Sequence, residues 1–500
     1  MPERGLLGGA AGRGQVASRR RSVGTVLRRR AGWLLFLGWL ACAEAGAGVI
    51  FDAGFLASGD QDLEGRDRWR ALGPLVEHRL DPDGGYALLA LRPFFVQEVA
   101  GPERMVRDFL WPLAQYRRWH GEADWRVLNV WYHDFDVTTP ESRYRFWLLP
   151  VLFLGRDAGG ENYAALFPVA GTLREFLGRD EITFLLFPLY SRSRLNDLRT
   201  WNVLWPLISR TTGEGVDIVR VFPLYGRNAK AGEWRKEFVL WPLWTSVRYE
   251  REGARGGGFL LLPLYGHLKM ENQESWMVLP PFFRWTTSAR QRAGYFPWPF
   301  VQVASGAVEK FYLWPLFGHR ATPGERQAFW LWPFITRRES EGRGEMRERW
   351  MVFPLLYTET RCRTVPEEAA TPEPVGRYFK LWPLWLYERE EAQRRWQALA
   401  LWPARHTPPV ERNWEPLWTL LSYRRTAAES EAELLWGLWR RRTRVDGAGA
   451  QSLFPLLAWE CDPQAGQRAW SVLKGLLGYT RTPTNRTYRL LYVLRWRTES

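Results

Sequence analysis

The sequence predicts an all-β protein: one antiparallel meander of about 20–24 strands, built from a repeat of about 19 residues and closed as a large barrel. Three observations carry this expectation. A proline-centred apolar core, most often Leu-Trp-Pro-Leu, recurs to the end of the 500-residue chain. The cores are rich in Trp, Tyr, Phe and Val, which favour strands, and they lack any 3.6-residue spacing. Between them lie Gly, Arg, Glu, Asn and Ser segments that read as turns, too short for parallel crossovers.

In chain order, residues 1–47 come first, with eight Arg against Glu3 and Glu44. Arg28-Arg29-Arg30 precede the apolar stretch 32–40, and Ala41-Cys42-Ala43-Glu44-Ala45 supplies small-residue cleavage sites, the pattern of a secretory signal peptide. Cys42 lacks a leucine three residues before it, where Trp39 stands, so a lipid anchor is the lesser reading. Residues 48–70 form a lead-in, and 71–500 read as a single repeat-built β domain.

The repeat is marked by Pro112, Pro188, Pro206, Pro223, Pro242, Pro263, Pro315, Pro333, Pro354, Pro383 and Pro455. Between Pro74 and Gly475 there are 22 copies, with glycine replacing proline at Gly437 and Gly475, and 19 of the 33 prolines sit at this one position. Such regularity excludes a multidomain reading. A helix would lose about 3 kcal/mol at each mid-core proline. One strand of ten to twelve residues plus one turn accounts for each unit, with proline kinking the strand; a corner between two sheets is the other way to place it. An open twisted sheet rarely exceeds about ten strands, so closure is expected.

Export, an apolar band on every strand, polar turns and aromatic strand ends together resemble the outer-membrane β-barrel class across about residues 70–500. The resemblance implies membrane lipid and the barrel-assembly machinery as partners and the cell outer membrane as location. Two features depart from that class. Phe238-Val239-Leu240-Trp241-Pro242-Leu243-Trp244 is apolar on both strand faces, and the connections do not alternate short and long.

The C-terminus carries the cleanest alternation. Tyr488, Leu490, Tyr492, Leu494 and Trp496 share one face and read as a terminal strand.

Composition narrows the function classes. With 46% apolar and 25% charged residues the chain is not disordered, and no run of 18 apolar residues after residue 50 supports a polytopic helical membrane protein. The net charge of +15 is spread among Arg/Glu segments rather than gathered on one patch, which disfavours nucleic acid. Glycine-rich nucleotide loops, nucleophile elbows and zinc-protease motifs are all missing, and no cofactor or enzymatic activity is expected. His267 and His319 occupy one repeat position; His133-Asp134-Phe135-Asp136 offers weak metal-ligand potential; Cys362 and Cys461 leave pairing open. The favoured function is an exported outer-membrane β-barrel with a structural or transport role, its transported or bound ligand unknown. The alternative is a soluble exported all-β scaffold that binds carbohydrate or another protein through its many tryptophans.

Overall fold

Each repeat folds as two strands, not one. β17 (Leu198–Val203) runs into the turn Leu204-Trp205-Pro206-Leu207, returns as β18 (Ile208–Gly213), reverses at Glu214-Gly215 and continues as β19 (Val216–Val221). The computed structural model describes residues 49–342, 344–363 and 374–499, and the signal-peptide reading of 1–47, with Cys42, lies outside them. The described residues form 46 strands in one antiparallel meander, each paired with its sequence neighbours. The all-β meander of the sequence reading stands, whereas 46 strands replace the expected 20–24. The segment read as a lead-in supplies β1 (Val49–Asp52), β2 (Ala57–Gln61) and β3 (Asp67–Ala71) of the same sheet.

The correction has a simple cause. Proline lies at a chain reversal rather than within a ladder, so the kinked-strand reading is replaced by a hairpin. Bonds such as Trp205-Pro206 and Trp241-Pro242 are cis, the geometry of type VI turns. A run that is apolar on both faces is therefore a hairpin tip. The Arg- and Glu-rich segments read as turns are largely the outer halves of strands, for example Trp234–Val239 and Trp244–Tyr249.

The terminal strand is divided in the same way. Residues 488–496 cover β45 (Asn485–Leu490), the turn Leu491-Tyr492-Val493 and β46 (Leu494–Glu499). Tyr488 pairs with Trp496 and Leu490 with Leu494, with the Tyr488 and Trp496 rings stacked at 5.6 Å. A three-residue turn preserves the two-residue alternation through the reversal, which is why the hairpin reads as one strand.

The sheet is a ribbon two hairpin ends wide, and it bends back on itself. Arg70 on β3 binds Glu433 on β39 (Glu429–Leu434) at 2.8 Å, and Arg440 on β40 (Trp439–Arg444) donates to Ser58 on β2 at 2.7 Å. Ser452 on β41 (Gly449–Leu453) donates to Asp52 on β1 at 2.9 Å. Paired positions traced from strand to strand place Arg70 and Glu433 on the same face, here called inner. Inner face thus meets inner face, β1 to β41, β2 to β40 and β3 to β39. No ladder joins β46 to β1 among the described residues.

Beside this junction the connection from β37 (Gln393–Ala398) to β38 (Leu421–Arg425) carries two short helices, α1 (Pro408–Asn413) and α2 (Glu415–Trp418). They lie on the inner face. Arg412 binds Asp108 at 2.8 Å and Glu98 at 2.9 Å, Asn413 donates to Asp108 at 2.6 Å, and the Trp414 indole donates to the Trp111 carbonyl. Further along, Phe153, Tyr163, Ala165, Leu173 and Phe184 bury themselves on the inner face as the sheet curls over them.

Candidate functional site: the proline-turn edge

The meander sends every repeat-proline turn to one edge and the intervening, mostly polar turns to the other. At the second edge most reversals are polar, although Leu177, with φ of 50° and 81% exposed, stands in one of them. Asp62 there accepts the Glu64 and Arg66 amides at 3.1 and 2.9 Å, and Glu214-Gly215 and Glu271-Asn272 are others. At the first edge Val239-Leu240-Trp241-Pro242-Leu243-Trp244 is typical: six apolar residues, most of them exposed. Among the short turns charge enters this edge at Arg92, which turns inward to Glu77 at 2.7 Å, and at Lys474, whose ammonium is drawn to the Asp52 carbonyl; the longer connection 399–420 adds Arg405, Glu411, Arg412 and Glu415.

Backbone polarity at the edge is answered internally. The Trp205 amide donates to the Pro188 carbonyl at 2.8 Å, Trp241 to Pro223 at 2.7 Å and Trp332 to Pro315 at 2.7 Å, so each turn is bonded to the one before it. Within a turn, the Leu243 amide donates to the Leu240 carbonyl at 2.8 Å. Proline contributes no N–H and so leaves none to satisfy. The rings flanking proline pack from turn to turn: Phe167, Phe187 and Trp205, each before a proline, lie 5.4 and 5.7 Å apart in succession, and Phe300 (which follows Pro299), Trp314 and Trp332 lie 6.0 and 5.8 Å apart.

The leucine that opens many of these turns is unusual. Leu72, Leu110, Leu128, Leu186, Leu204, Leu240, Leu279, Leu331, Leu435, Leu473 and Leu491 all have φ between 41° and 52°. A left-handed backbone costs a leucine about 1–2 kcal/mol, and glycine would adopt it freely. These side chains gain little burial in return, because all eleven are 36–68% exposed.

The structure brings the repeat prolines, Pro112 through Pro455, together along this one edge. Other singled-out residues lie elsewhere. His267 packs on Trp276 at 4.1 Å and meets Glu274 at 2.9 Å on the outer face; His319 stacks on Phe311 two hairpins or more away. Asp134 and Asp136 serve a turn, accepting from Ser142 and from Thr138 and Thr139. Cys362 and Cys461 are both free, on β34 (Leu356–Arg363) and β42 (Leu457–Asp462).

Sequence reasoning missed the buried charges of the junction. Arg68 lies between Asp60, at 2.7 Å, and Glu431. Burial alone would raise the Glu431 carboxyl; Arg68, Arg424 and Arg70 overcome it and hold the group far below the ordinary carboxylate range. Glu77 is depressed in the same way by Arg79, Arg92 and Arg70 against its burial. Their signal, alternating Arg and Glu at two-residue spacing, was present in Asp67–Ala71 and Glu429–Leu434. No family model matches the chain, and no curated protein matches it either.

Proposed function

We propose that the protein is an exported outer-membrane protein that seats its proline-turn edge in lipid and closes, through the face-to-face junction, into a barrel-like ring with a structural or transport role. The observation that carries this reading is the row of exposed leucines held in left-handed conformation. Leucine stands where glycine would relieve strain, yet its side chain is only partly covered by the chain, so an apolar medium outside supplies the rest of its benefit. The satisfied backbone and the near absence of charge in the short turns of this edge meet the other demands of hydrocarbon.

Strand length sets the depth. Six residues at about 3.3 Å each give roughly 20 Å, short of the roughly 30 Å hydrocarbon core. The apolar part of each hairpin, about three residues deep, is close to the 5–10 Å reached by interfacial elements. The reading is therefore an edge seated in one leaflet, with strands that do not cross it. Membrane lipid is the required partner, and six-residue strands make no demand on the barrel-assembly machinery.

The test uses one dye-bearing cysteine at a time in a chain with Cys362 and Cys461 changed to serine. With vesicles of phosphatidylethanolamine and phosphatidylglycerol, a dye at Leu243→Cys should shift to the blue and be quenched by brominated acyl chains. A dye at Ala231→Cys, on the polar edge, should not respond. Equal behaviour at the two positions, or a protein that stays free of vesicles on flotation, would leave the soluble scaffold as the better account.

A further inference from the structure

The inner face of the central strands bears a groove of about 700 Å³, within the range that holds one small ligand. It spans β19 to β25 (Gln273–Val278) and opens beside the turn residues Pro206, Phe222 and Trp241. Its wall nearest the turns is apolar, formed by Phe238, Leu260 and Met277. A Cβ at Gly226 would lie 2.0 Å from the Phe238 ring, so glycine is what lets that ring lie flat against the sheet. Toward mid-strand the lining changes to Asn228 and Lys236, and Arg220 flanks it.

Charge on this face is one-sided. Across β16 (Tyr190–Leu195) to β30 (Phe317–Thr322) the paired inner positions include Arg220, Lys230, Lys236, Arg284, Lys310 and Arg320 and no carboxylate. The carboxylates of the same strands, Asp217, Glu237, Glu274 and Glu309, occupy outer positions. Glu237, which borders the groove, is engaged by Arg235 at 2.5 Å. Among the described residues Arg220 and Lys236 have no acidic partner, and the buried Asn228 Oδ1 has no hydrogen-bond donor.

We infer that this groove binds an anionic glycerophospholipid drawn from the leaflet on which the edge sits, an inference that rests on the lipid-seated reading. An acyl chain enters over the packed Phe222 and Trp241 rings and lies along Phe238, Leu260 and Met277. The phosphate reaches Lys236 and Arg220, and a glycerol hydroxyl donates to Asn228 Oδ1. Phe238, Leu260 and Met277 stand in the row nearest the turns, with Arg220 at the flank of that row, and Lys236 and Asn228 stand one row deeper, so a lipid whose hydrocarbon meets the turn edge has its headgroup beside Lys236.

The test is photocrosslinking in vesicles doped with phosphatidylglycerol, or with phosphatidylcholine, carrying a diazirine on the acyl chain, followed by peptide mapping. Wild-type protein should be labelled on the β21–β25 peptides (234–278) at least tenfold more by phosphatidylglycerol than by phosphatidylcholine. Lys236→Glu should bring that labelling down to the phosphatidylcholine level while labelling of distant turn peptides, such as 381–385, persists. Groove labelling no stronger than that of the polar-edge peptides, or equal for the two lipids, overturns the inference. Loss of labelling at the distant turns as well points instead to failure of the lipid-seated reading. In that case the same lipids in non-ionic micelles decide the groove separately, by the same tenfold criterion.

Discussion

Arg68 and Glu431 stand 363 residues apart in the chain and form an ion pair inside the protein, with Arg68 only 2% exposed. Arg70 and Glu433 repeat the pairing at the same separation, which sets β3 parallel to β39 across the inner face. Two strand ladders more than three hundred residues apart are thereby locked in one register. Apolar contact joins the same junction at its turn edge, where Phe55 packs edge-on against Phe454 at 6.3 Å.

Removing one partner should therefore be costly. Arg68→Ala removes the buried cation shared by Asp60 and Glu431, leaving Asp60 to Arg440 at 3.4 Å and Glu431 to Arg424 at 3.2 Å, and a loss of up to about 3–5 kcal/mol is expected. Replacing all three by Met, Leu and Leu should recover much of it, because no buried charge then remains unpaired. Denaturant titration of the single and triple variants checks this. A triple variant no more stable than Arg68→Ala would show that the charges hold the register in a way packing cannot.

Acid should open the same junction. The Glu77 and Glu431 carboxyls are held below their ordinary value of 4.5 by surrounding arginines, so each binds its proton more weakly folded than unfolded. Their contribution is complete above the unfolded value and is lost as pH falls through the acid range below it. Thermal midpoints should be flat from about pH 8 to pH 5.5 and fall below about pH 4.5. In Glu431→Gln the midpoint should be lower at neutral pH and the acid fall shallower; an unchanged acid slope would assign the effect to other carboxyls.

The C-terminal hairpin should be dispensable for closure. Deleting residues 485–500 removes β45 and β46, which lie beyond the strands that meet β1 to β3. In a meander of this kind each hairpin contacts chiefly its neighbours, so the loss is one interface. The shortened chain should fold with the junction intact, whereas deletion of 429–500 should abolish the cooperative transition. Circular dichroism melts of the two truncations decide it.

How much of this was legible in the sequence follows from particular residues. The repeat, the antiparallel order and the polar reversals were plain, because Gly, Asn and Asp mark turns by known backbone chemistry. Leu204-Trp205-Pro206-Leu207 was not recognised as a turn, because three of its four residues are ones that strands bury. An apolar tip left exposed breaks the expectation that apolar runs lie inside, and its proline was then fitted into a strand. Arg68 and Glu431 sit in ordinary charged segments, and nothing local announces a partner 363 residues away. The groove was invisible for a different reason. Its lining depends on the register of seven strands, and a one-residue slip in any of them reverses that strand's face.

The exposed leucines provide the sharpest test of what the turn edge is for. Leu204, Leu240 and Leu331 have φ of 50°, 46° and 49° and are 43%, 50% and 56% exposed. Changing each to glycine removes about 1–2 kcal/mol of left-handed strain but adds glycine's extra unfolded-state entropy, about 0.5–1 kcal/mol. The folded protein in detergent should therefore be unchanged or slightly more stable. Attachment to lipid should weaken, because each half-exposed leucine removed from the leaflet forfeits about 0.8–1.5 kcal/mol of apolar burial. The triple variant should need at least about fiftyfold more phosphatidylethanolamine–phosphatidylglycerol vesicles for half-maximal flotation. If it unfolds more readily in detergent and floats as well as wild type, the leucines serve the protein's own packing, and the turn edge is not what meets the membrane.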